Sequence, residues 1–353
     1  MRLSKRILIF IIGFAVIFAA IQYVFLFRWA ASEDSRTTDL QFEEMPDGAV
    51  DVLFFGTSET HQAIAPSIIF ERSGITSYNM ATSWGSATVV YHRLVYALKH
   101  QHPKVAVCDF RGLFDPVLYE SDYIRAYENF TDRKVRKDML DDACRDDKSL
   151  DRMEFYLPIH RYHSLWHDMT PANLLPRGYM NRDKLPPFLL GGYQAGKGYH
   201  GEPPLITPEL WDDAGYSDPI APVNAGYYTK FIDLCHENDI TVVFIGYPFI
   251  YPPAYNTGIQ DTRFNWLTSQ GVFYYDLNNY DSVTELGIIP EEDYLDESHC
   301  SFSGAVKVSE AAADILSDPY YGLADHRNEP GYEVWEGLAD RFRVFYSDEE
   351  NHN

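Results

Sequence analysis

The sequence has 353 residues, of which 46% are hydrophobic and 15% aromatic, and its formal net charge is -23. This length and composition provide enough apolar side chains for a large core and exclude an intrinsically disordered protein. The acidic balance excludes the basic face on which nucleic-acid binding depends. We therefore expect one large domain after the N-terminal segment, with no nucleic acid among its partners.

The chain begins with an apolar segment long enough to cross a lipid bilayer. Residues 7–27 are interrupted only by Gly13 and Gln22, and about 20 apolar residues suffice for one transmembrane helix. Basic residues precede the segment and acidic residues follow it, so the positive-inside rule places the N-terminus in the cytoplasm and the body outside. A cleaved signal peptide is the alternative, with the small residues 30–32 as its cleavage region. We expect residues 1–31 to form a single-pass, uncleaved anchor in the cell membrane.

The first part of the body alternates strand and helix patterns. A polar, acidic linker over residues 32–48 precedes it. Short apolar runs predict strands, and helical spacing predicts the helices between them, at 51–55, 66–73, 76–80, 87–100 and 104–110. Strands that alternate with helices in this way predict an α/β domain with a parallel sheet and right-handed crossovers.

The middle of the chain interrupts this alternation. Residues 115–222 combine charged helical patterns with many prolines and aromatic residues, which indicates an irregular lobe inserted in the domain. Its glycine-rich piece, residues 191–198, does not follow a strand and lacks the ending of a phosphate-binding loop. The alternation then returns, with strands and helices at 225–238, 240–246, 262–269, 272–276 and about 303–316. We expect the domain to span residues 49–346 and residues 347–353 to form a frayed tail.

The motif around which the body is organised is Asp51–Thr60, DVLFFGTSET. Its apolar run stops at Gly56, which allows the chain to turn sharply at the end of the strand. Ser58 therefore falls at the carboxyl end of a parallel strand, where open α/β sheets bind their ligands. A simple capping or turn-forming serine is the alternative. Far along the chain, Asp296 lies three residues before His299, just ahead of a helix.

These three residues are a candidate catalytic set. A serine hydroxyl becomes a good nucleophile when a histidine takes its proton, and a carboxylate on the other ring nitrogen fixes the tautomer of that histidine. We predict that Ser58 is the nucleophile, His299 the base and Asp296 the orienting acid. The backbone N–H groups of Ser58 and Gly85 are candidate oxyanion donors, although Gly85 could equally be an ordinary loop glycine. His61 is a weaker base candidate because it lies too close to Ser58 in sequence.

Three blocks of the sequence resemble the SGNH (GDSL-like) hydrolase family. The first is Gly56–Thr60, with Ser58 in the nucleophile position; the second is Tyr78–Gly85, with Gly85 as the oxyanion glycine; and the last is Asp296–Ala305. The resemblance is narrower to the cell-surface, membrane-anchored branch, which includes the D-alanyl-lipoteichoic acid biosynthesis protein and alginate O-acetylation proteins. It covers about residues 51–114 and 240–316. It implies a three-layer, flavodoxin-like parallel sheet.

Two features depart from the family pattern. Thr57-Ser58-Glu59 replaces the usual Asp-Ser-Leu, and Asp109–Gly112 stands where the third block carries an asparagine. Arg111 is a candidate contact for an oxyanion or for an anionic substrate, with an ion pair to Asp109 or Asp115 as its structural alternative. The missing asparagine is more typical of an acyltransferase, or of a site completed by a partner, than of a strong esterase.

The resemblance implies an extracytoplasmic serine esterase or O-acyltransferase that modifies a cell-envelope polysaccharide or teichoic acid through an acyl-serine intermediate. A membrane-bound O-acyltransferase is then a candidate partner. The alternative is a non-catalytic protein of the same fold that binds or assembles envelope glycans, because the inserted lobe is rich in aromatic rings that stack well on sugars.

Two further alternatives involve other side chains. His160, His163 and His167 follow helical spacing, which would allow a metal-dependent hydrolase, but the residues between them favour an ordinary amphipathic helix. The four cysteines show no metal-finger spacing. Cys300 adjoins His299 and is a candidate nucleophile, but neighbouring side chains on a strand or loop point apart, which counts against this alternative. We expect no metal and no other cofactor.

Overall fold

A computed structural model describes residues 2–26, 33–83, 85–113, 120–168, 191–193, 220–248, 257–296 and 298–350. These residues form an α/β protein built on a five-stranded sheet in which every paired strand is parallel. The strands are β1 (Val52–Phe55), β2 (Ser77–Asn79), β3 (Val105–Cys108), β4 (Thr241–Gly246) and β5 (Phe273–Asp276). Their order across the sheet is β2-β1-β3-β4-β5.

The described α-helices occur before, between and after the strands. They are α1 (Arg2–Leu26), α2 (Glu33–Glu43), α3 (Ser58–Ala63), α4 (Pro66–Ser73), α5 (Ala87–Ala97), α6 (Glu120–Asn129), α7 (Arg133–Asp146), α8 (Arg152–Tyr156), α9 (Pro158–Tyr162), α10 (Pro222–Glu237), α11 (Thr257–Ser269), α12 (Tyr280–Glu285), α13 (Pro290–Asp293), α14 (Phe302–Leu316) and α15 (Leu338–Glu350). Short 3-10 helices occur at Arg111–Leu113, His163–Asp168, Pro319–Tyr321 and Glu333–Trp335.

The core lies on the central strands and the helices packed on them. Every residue of β1 and β3 is buried, as expected for strands covered on both faces, whereas β5 at the sheet edge is partly exposed. Helix α5 packs with α10, while α4 packs with α14 and α15. The parallel pairing agrees with the prediction from alternating strands and helices, and each strand begins within one residue of its predicted start.

The chain after α14 packs back onto the body. Trp335 stacks on Phe70 of α4 with ring centroids 5.6 Å apart, and Leu338 and Phe342 of α15 are buried. Helix α15 continues to Glu350, past the point at which the sequence predicts fraying.

The segment predicted as a polar linker is different in the structure. Residues Glu33–Glu43 form α2, and Phe42 at its end is fully buried. Asp39 is also buried, and its carboxylate pairs with the guanidinium of Arg93 on α5. The acidic composition of the segment suggested solvent exposure, but the acid that faces the body has a cationic partner there. Helix α2 is therefore part of the folded domain.

Helix α1 carries the N-terminal apolar segment. Its 19-residue stretch Ser4–Gln22 has a mean hydropathy of 2.2 and no buried residue, so it is long and apolar enough to span a membrane or to act as a signal anchor. The Oε1 atom of Gln22 accepts a hydrogen bond of 3.1 Å from the N–H of Ile159. Ile159 lies in the first turn of α9, where N–H groups have no intrahelical acceptor. Gln22 of α1 thus caps a helix of the body.

The predicted inserted lobe is described only in part. Its first half contains α6 to α9 and the 3-10 helix after them, while residues 169–190 and 194–219 lie outside the described residues. The glycine-rich piece is described at residues 191–193, where the carbonyl oxygen of Gly191 accepts a 2.7 Å hydrogen bond from the N–H of Asn79. A Cβ atom on Gly192 would lie 2.0 Å from the carbonyl oxygen of Asn79. This piece therefore packs tightly against the end of β2.

Candidate active site

The turn after β1 places Ser58 at the edge of the sheet. Gly56 has a φ of +146°, and a Cβ atom there would lie 2.1 Å from Oδ2 of Asp109, so glycine is required for both conformation and space. Thr57 is the N-cap of α3, and Ser58 is its first residue. The sequence predicts a loop at this point, whereas the structure begins a short helix. Ser58 is partly exposed.

The structure brings Ser58, His299 and Asp296 into one hydrogen-bonded chain. The Oγ atom of Ser58 lies 2.8 Å from Nε2 of His299, across 241 residues of sequence. The Nδ1 atom of His299 lies 2.6 Å from Oδ2 of Asp296. Both distances are those of direct hydrogen bonds. An ionised carboxylate only accepts, so Nδ1 carries the proton and Nε2 of the neutral ring accepts from the serine hydroxyl.

The loop that carries Asp296 and His299 is closed by backbone hydrogen bonds. The N–H of Leu295 donates to the carbonyl oxygen of His299 at 2.8 Å, next to an antiparallel bridge between Tyr294 and Cys300. Within the loop, Oδ1 of Asp296 accepts from the N–H groups of Ser298 and His299 at 2.8 and 2.9 Å. The carboxylate is therefore anchored on one oxygen, which leaves the other oxygen aimed at the imidazole.

The electrostatic environments of His299 and His61 differ: His299 has the carboxylate of Asp296 beside it, whereas His61 is buried. Partial burial opposes ionisation of Asp296, but hydrogen bonds from His299 and Ser298 and the charge of His299 outweigh it and lower the pKa of Asp296. His61 is buried, and burial together with the nearby charge of His299 lowers the pKa of its imidazole to about 3. Its Nδ1 atom has no hydrogen-bond partner among the described residues. His61 therefore stays neutral at physiological pH.

The two predicted oxyanion donors, the backbone N–H groups of Ser58 and Gly85, differ in whether they already donate a hydrogen bond. Ser58 is the first residue of α3, so its N–H has no acceptor within the helix. The N–H of Gly85 donates to the carbonyl oxygen of Thr82 at 3.2 Å and would have to leave that bond to reach an oxyanion. A Cβ atom on Gly85 would lie 2.5 Å from the carbonyl oxygen of Gly56. Close packing against Gly56–Ser58, the candidate nucleophile turn, thus requires glycine at position 85.

Asp109, directly after β3, holds the candidate nucleophile turn. Its Oδ2 atom accepts hydrogen bonds from the N–H of Thr57 at 2.7 Å, the hydroxyl of Thr57 at 3.0 Å and the hydroxyl of Thr60 at 2.7 Å. Its Oδ1 atom accepts from the N–H of Arg111 at 3.1 Å. Burial raises the pKa of Asp109, and these hydrogen bonds only partly offset that effect. This role was not predicted from the sequence. The signal that could have revealed it is an aspartate directly after a buried strand, at the sheet edge that also carries Ser58.

The side chain of Arg111 forms an ion pair with Glu59. Its Nη1 atom lies 2.6 Å from Oε1 of Glu59, and the two side chains are 23% and 13% exposed. The sequence suggested Asp109 or Asp115 as the partner. Asp109 instead accepts from the backbone N–H of Arg111, and Asp115 lies outside the described residues. The pair holds a guanidinium against the residue that follows the candidate nucleophile.

The other candidate residues do not form a reactive group. Within the described part of the chain, no group of three or more histidine, cysteine, aspartate or glutamate side chains is arranged to hold a metal ion. Nδ1 of His160 lies 2.8 Å from Oε1 of Glu154, and Nδ1 of His163 lies 2.7 Å from the carbonyl oxygen of His160. Cys300 is buried, and burial raises the pKa of its thiol to about 12, so it is not a thiolate at neutral pH.

Comparison with known proteins gives no match: no family model matches the chain, and no curated protein matches it at a significant level. The function is therefore inferred from the side chains at the carboxyl edge of the sheet.

Proposed function

We propose that this protein is an extracytoplasmic serine esterase or O-acyltransferase that reacts through an acyl-Ser58 intermediate. The observation that carries the proposal is the continuous chain from Oγ of Ser58 through His299 to Asp296, with contacts of 2.8 and 2.6 Å. A nucleophile, a base and an orienting carboxylate in this geometry are the parts needed for acyl transfer. Ser58, with His299 and Asp296 beside it, lies at the carboxyl edge of a parallel sheet, where such sites occur in α/β proteins.

The reaction proceeds in two steps, formation of the acyl-serine and its breakdown. Oγ of Ser58 attacks the carbonyl carbon of an ester while its proton moves to Nε2 of His299. The resulting tetrahedral oxyanion collapses, and the alcohol oxygen leaves with the proton from His299, which gives the acyl-serine. Water or an acceptor hydroxyl then attacks the acyl carbon and passes its proton to Nε2. Collapse of the second intermediate returns the proton to Oγ and releases an acid or a new ester. Asp296 accepts from Nδ1–H throughout and stabilises the imidazolium.

Charge near the nucleophile supports an anionic transition state or substrate. The N–H of Ser58 and, after release from Thr82, that of Gly85 are the backbone donors in this proposal. The guanidinium of Arg111, paired with Glu59, which directly follows Ser58 in the sequence, is a further candidate donor in this proposal. Hydrogen-bond donors in a site that excludes water contribute several kcal/mol to such reactions, and a charged donor contributes more than a neutral one. Arg111 thus takes the place of the asparagine that the third family block carries.

The fold supports the same assignment. The strand order β2-β1-β3-β4-β5 is that of flavodoxin-like sheets, and the helices fall into two packing groups, α5 with α10 and α4 with α14 and α15. Such grouping is expected of three layers, with helices on both faces of the sheet. This arrangement supports the proposal that the body has an SGNH-like hydrolase fold.

The location and the substrate follow from the anchor and the resemblance. We place α1 across the cell membrane, with the N-terminus in the cytoplasm and the body outside, because basic residues precede the apolar stretch. A cell-envelope polysaccharide or teichoic acid is then the substrate within reach, and a membrane-bound O-acyltransferase is a suitable source of acyl groups. About half of the aromatic insert lies outside the described residues, and no observation on the described half favours the glycan-binding alternative.

Covalent labelling tests the proposal directly. A fluorophosphonate probe should label the detergent-solubilised full-length protein at Ser58, and Ser58→Ala should abolish the labelling. His299→Ala should slow it by about 10³-fold or more, because the hydroxyl loses its base. Equal labelling of the wild type and Ser58→Ala would remove Ser58 from the mechanism.

A further inference from the structure

The buried carboxylate of Asp109 accepts four hydrogen bonds at the base of the nucleophile turn. We propose that Asp109 is a positioning residue that sets the direction of the Ser58 hydroxyl toward His299, acting through Thr57 and Thr60. This inference rests on the proposed function of Ser58 as a nucleophile. It assigns to Asp109 a part in the reaction without contact to the substrate.

The contacts of Asp109 lie on both sides of the nucleophile. Thr57 precedes Ser58 and donates twice to Oδ2, through its N–H at 2.7 Å and its hydroxyl at 3.0 Å. Thr60 follows Ser58 by two residues and donates its hydroxyl at 2.7 Å. One oxygen atom therefore ties together the residues that flank Ser58. The short helix α3 cannot rotate or shift without breaking these bonds.

Only a carboxylate satisfies this arrangement. Three donors converge on Oδ2, and the N–H of Arg111 reaches Oδ1 at 3.1 Å. An asparagine has a single acceptor oxygen, so in either orientation of its amide an N–H donor of the side chain would face a donor of the chain. A buried donor without an acceptor is strongly unfavourable. This explains why burial is tolerated for a charged group at position 109.

The packing around the carboxylate links it to two other parts of the site. A Cβ atom at Gly56 would lie 2.1 Å from Oδ2, so the carboxylate occupies the space of the missing side chain. Arg111, whose guanidinium pairs with Glu59, has its backbone held by Oδ1. Asp109 therefore fixes the nucleophile and the cation relative to each other. A displacement of about 1 Å at a reacting group can reduce the rate of a reaction about 100-fold.

The test compares three variants of the full-length protein. Asp109→Asn removes an acceptor, Thr60→Val removes one donor while the carboxylate stays, and Asp51→Asn is the matched control. Asp51 is also a buried aspartate, 3.0 Å from Nε2 of His326, but it precedes β1 and so lies at the opposite edge of the sheet. The measurements are the rate constant of fluorophosphonate labelling at several pH values, and hydrogen exchange of the peptide that contains residues 57–63.

We expect Asp109→Asn to slow the labelling of Ser58 by about 10- to 100-fold and Thr60→Val to slow it less, with Asp51→Asn close to the wild type. The midpoint of the pH profile should stay unchanged, because His299 and Asp296 keep their contacts. Exchange of peptide 57–63 should accelerate in the first two variants only. A rate for Asp109→Asn within about twofold of the wild type, or equal to that of Asp51→Asn, would overturn the proposal.

Failure of the proposed function gives a different pattern. If the wild type is not labelled at Ser58, the proposed acyl-enzyme is lost, and the exchange of peptide 57–63 then decides whether Asp109 holds the turn. Unchanged exchange in Asp109→Asn would refute the positioning role as well. If Asp109→Asn does not fold, Thr60→Val alone decides: labelling and exchange equal to the wild type would contradict the proposal.

Discussion

Replacing Asp296 by asparagine tests the proposed base without removing it. In the native loop, Oδ1 of Asp296 accepts from the N–H groups of Ser298 and His299, and Oδ2 accepts from Nδ1 of His299 at 2.6 Å. The oxygen of an asparagine can keep both backbone bonds. Its amide nitrogen then faces Nδ1 and donates to it. The imidazole proton is forced onto Nε2. That atom then carries an N–H directed at Ser58 and can no longer accept a hydrogen bond from the serine hydroxyl.

The expected loss of activity is large and the expected loss of stability is small. With the wrong tautomer, His299 cannot take the proton of Ser58, and a comparable change in a serine hydrolase costs about 10⁴-fold in rate. This corresponds to about 5 kcal/mol of activation free energy. Because the two backbone bonds and the packing are retained, we expect the free energy of unfolding to fall by only about 1 kcal/mol.

The assay is the pseudo-first-order rate of fluorophosphonate labelling at neutral pH, together with the thermal unfolding midpoint of the same preparation. Ser298→Ala is the matched control: it removes a hydroxyl 3.3 Å from both Asp296 and His299 but leaves their mutual contact. We expect the control to label at nearly the wild-type rate. Labelling of Asp296→Asn within about tenfold of the wild type would refute the assignment of His299 as a base oriented by Asp296.

Two further predictions concern buried charges outside the site. Burial raises the pKa of Glu128 to about 7, above its value in the unfolded chain, so its contribution to stability is complete at low pH and is lost as the pH rises through 7. The difference in free energy of unfolding between Glu128→Gln and the wild type should therefore shift by about 3 kcal/mol in favour of the variant as the pH rises from about 5 to about 8. Urea denaturation at several pH values measures this difference. Arg93→Met leaves the buried carboxylate of Asp39 without its cation and should cost about 3–5 kcal/mol, whereas the double variant with Asp39→Leu should recover most of that loss.

Each of these predictions has an outcome that contradicts it. A pH-independent difference between the wild type and Glu128→Gln would mean that this carboxyl does not titrate in the folded protein near neutral pH. For the buried pair, a loss of less than about 1 kcal/mol in Arg93→Met would show that α2 is not held to α5 by this contact.

The fold was largely predictable because its signals are local. Short apolar runs ended by polar residues or glycine marked all five strands, since a central strand of a parallel sheet is buried on both faces. The alternation of strands with helices then required parallel pairing. Of the three candidate catalytic residues, only Ser58 comes shortly after a strand; its proximity to Asp296 and His299 was predicted from the spacing of that acid and histidine and from the chemistry that the three residues can perform together.

The remaining features depend on contacts between distant residues. The acidic segment at Glu33–Glu43 reads as exposed until the partner of Asp39 on α5 is known. The sequence does not show that Arg111 pairs with Glu59, because several acids lie within reach. Likewise, the three donors that converge on Asp109 are recognisable only once the turn after β1 is seen against the end of β3. Composition reports the average environment of a segment and not the partner of a single side chain.

The hydrogen bond between Gln22 and Ile159 has a consequence for how the protein is prepared. Soluble versions of anchored proteins are usually made by deleting the hydrophobic N-terminus. Here that deletion would also strip the first turn of α9 of an acceptor supplied by the deleted helix. A shortened protein would therefore differ from the full-length one in the capping of α9, and not only in its solubility.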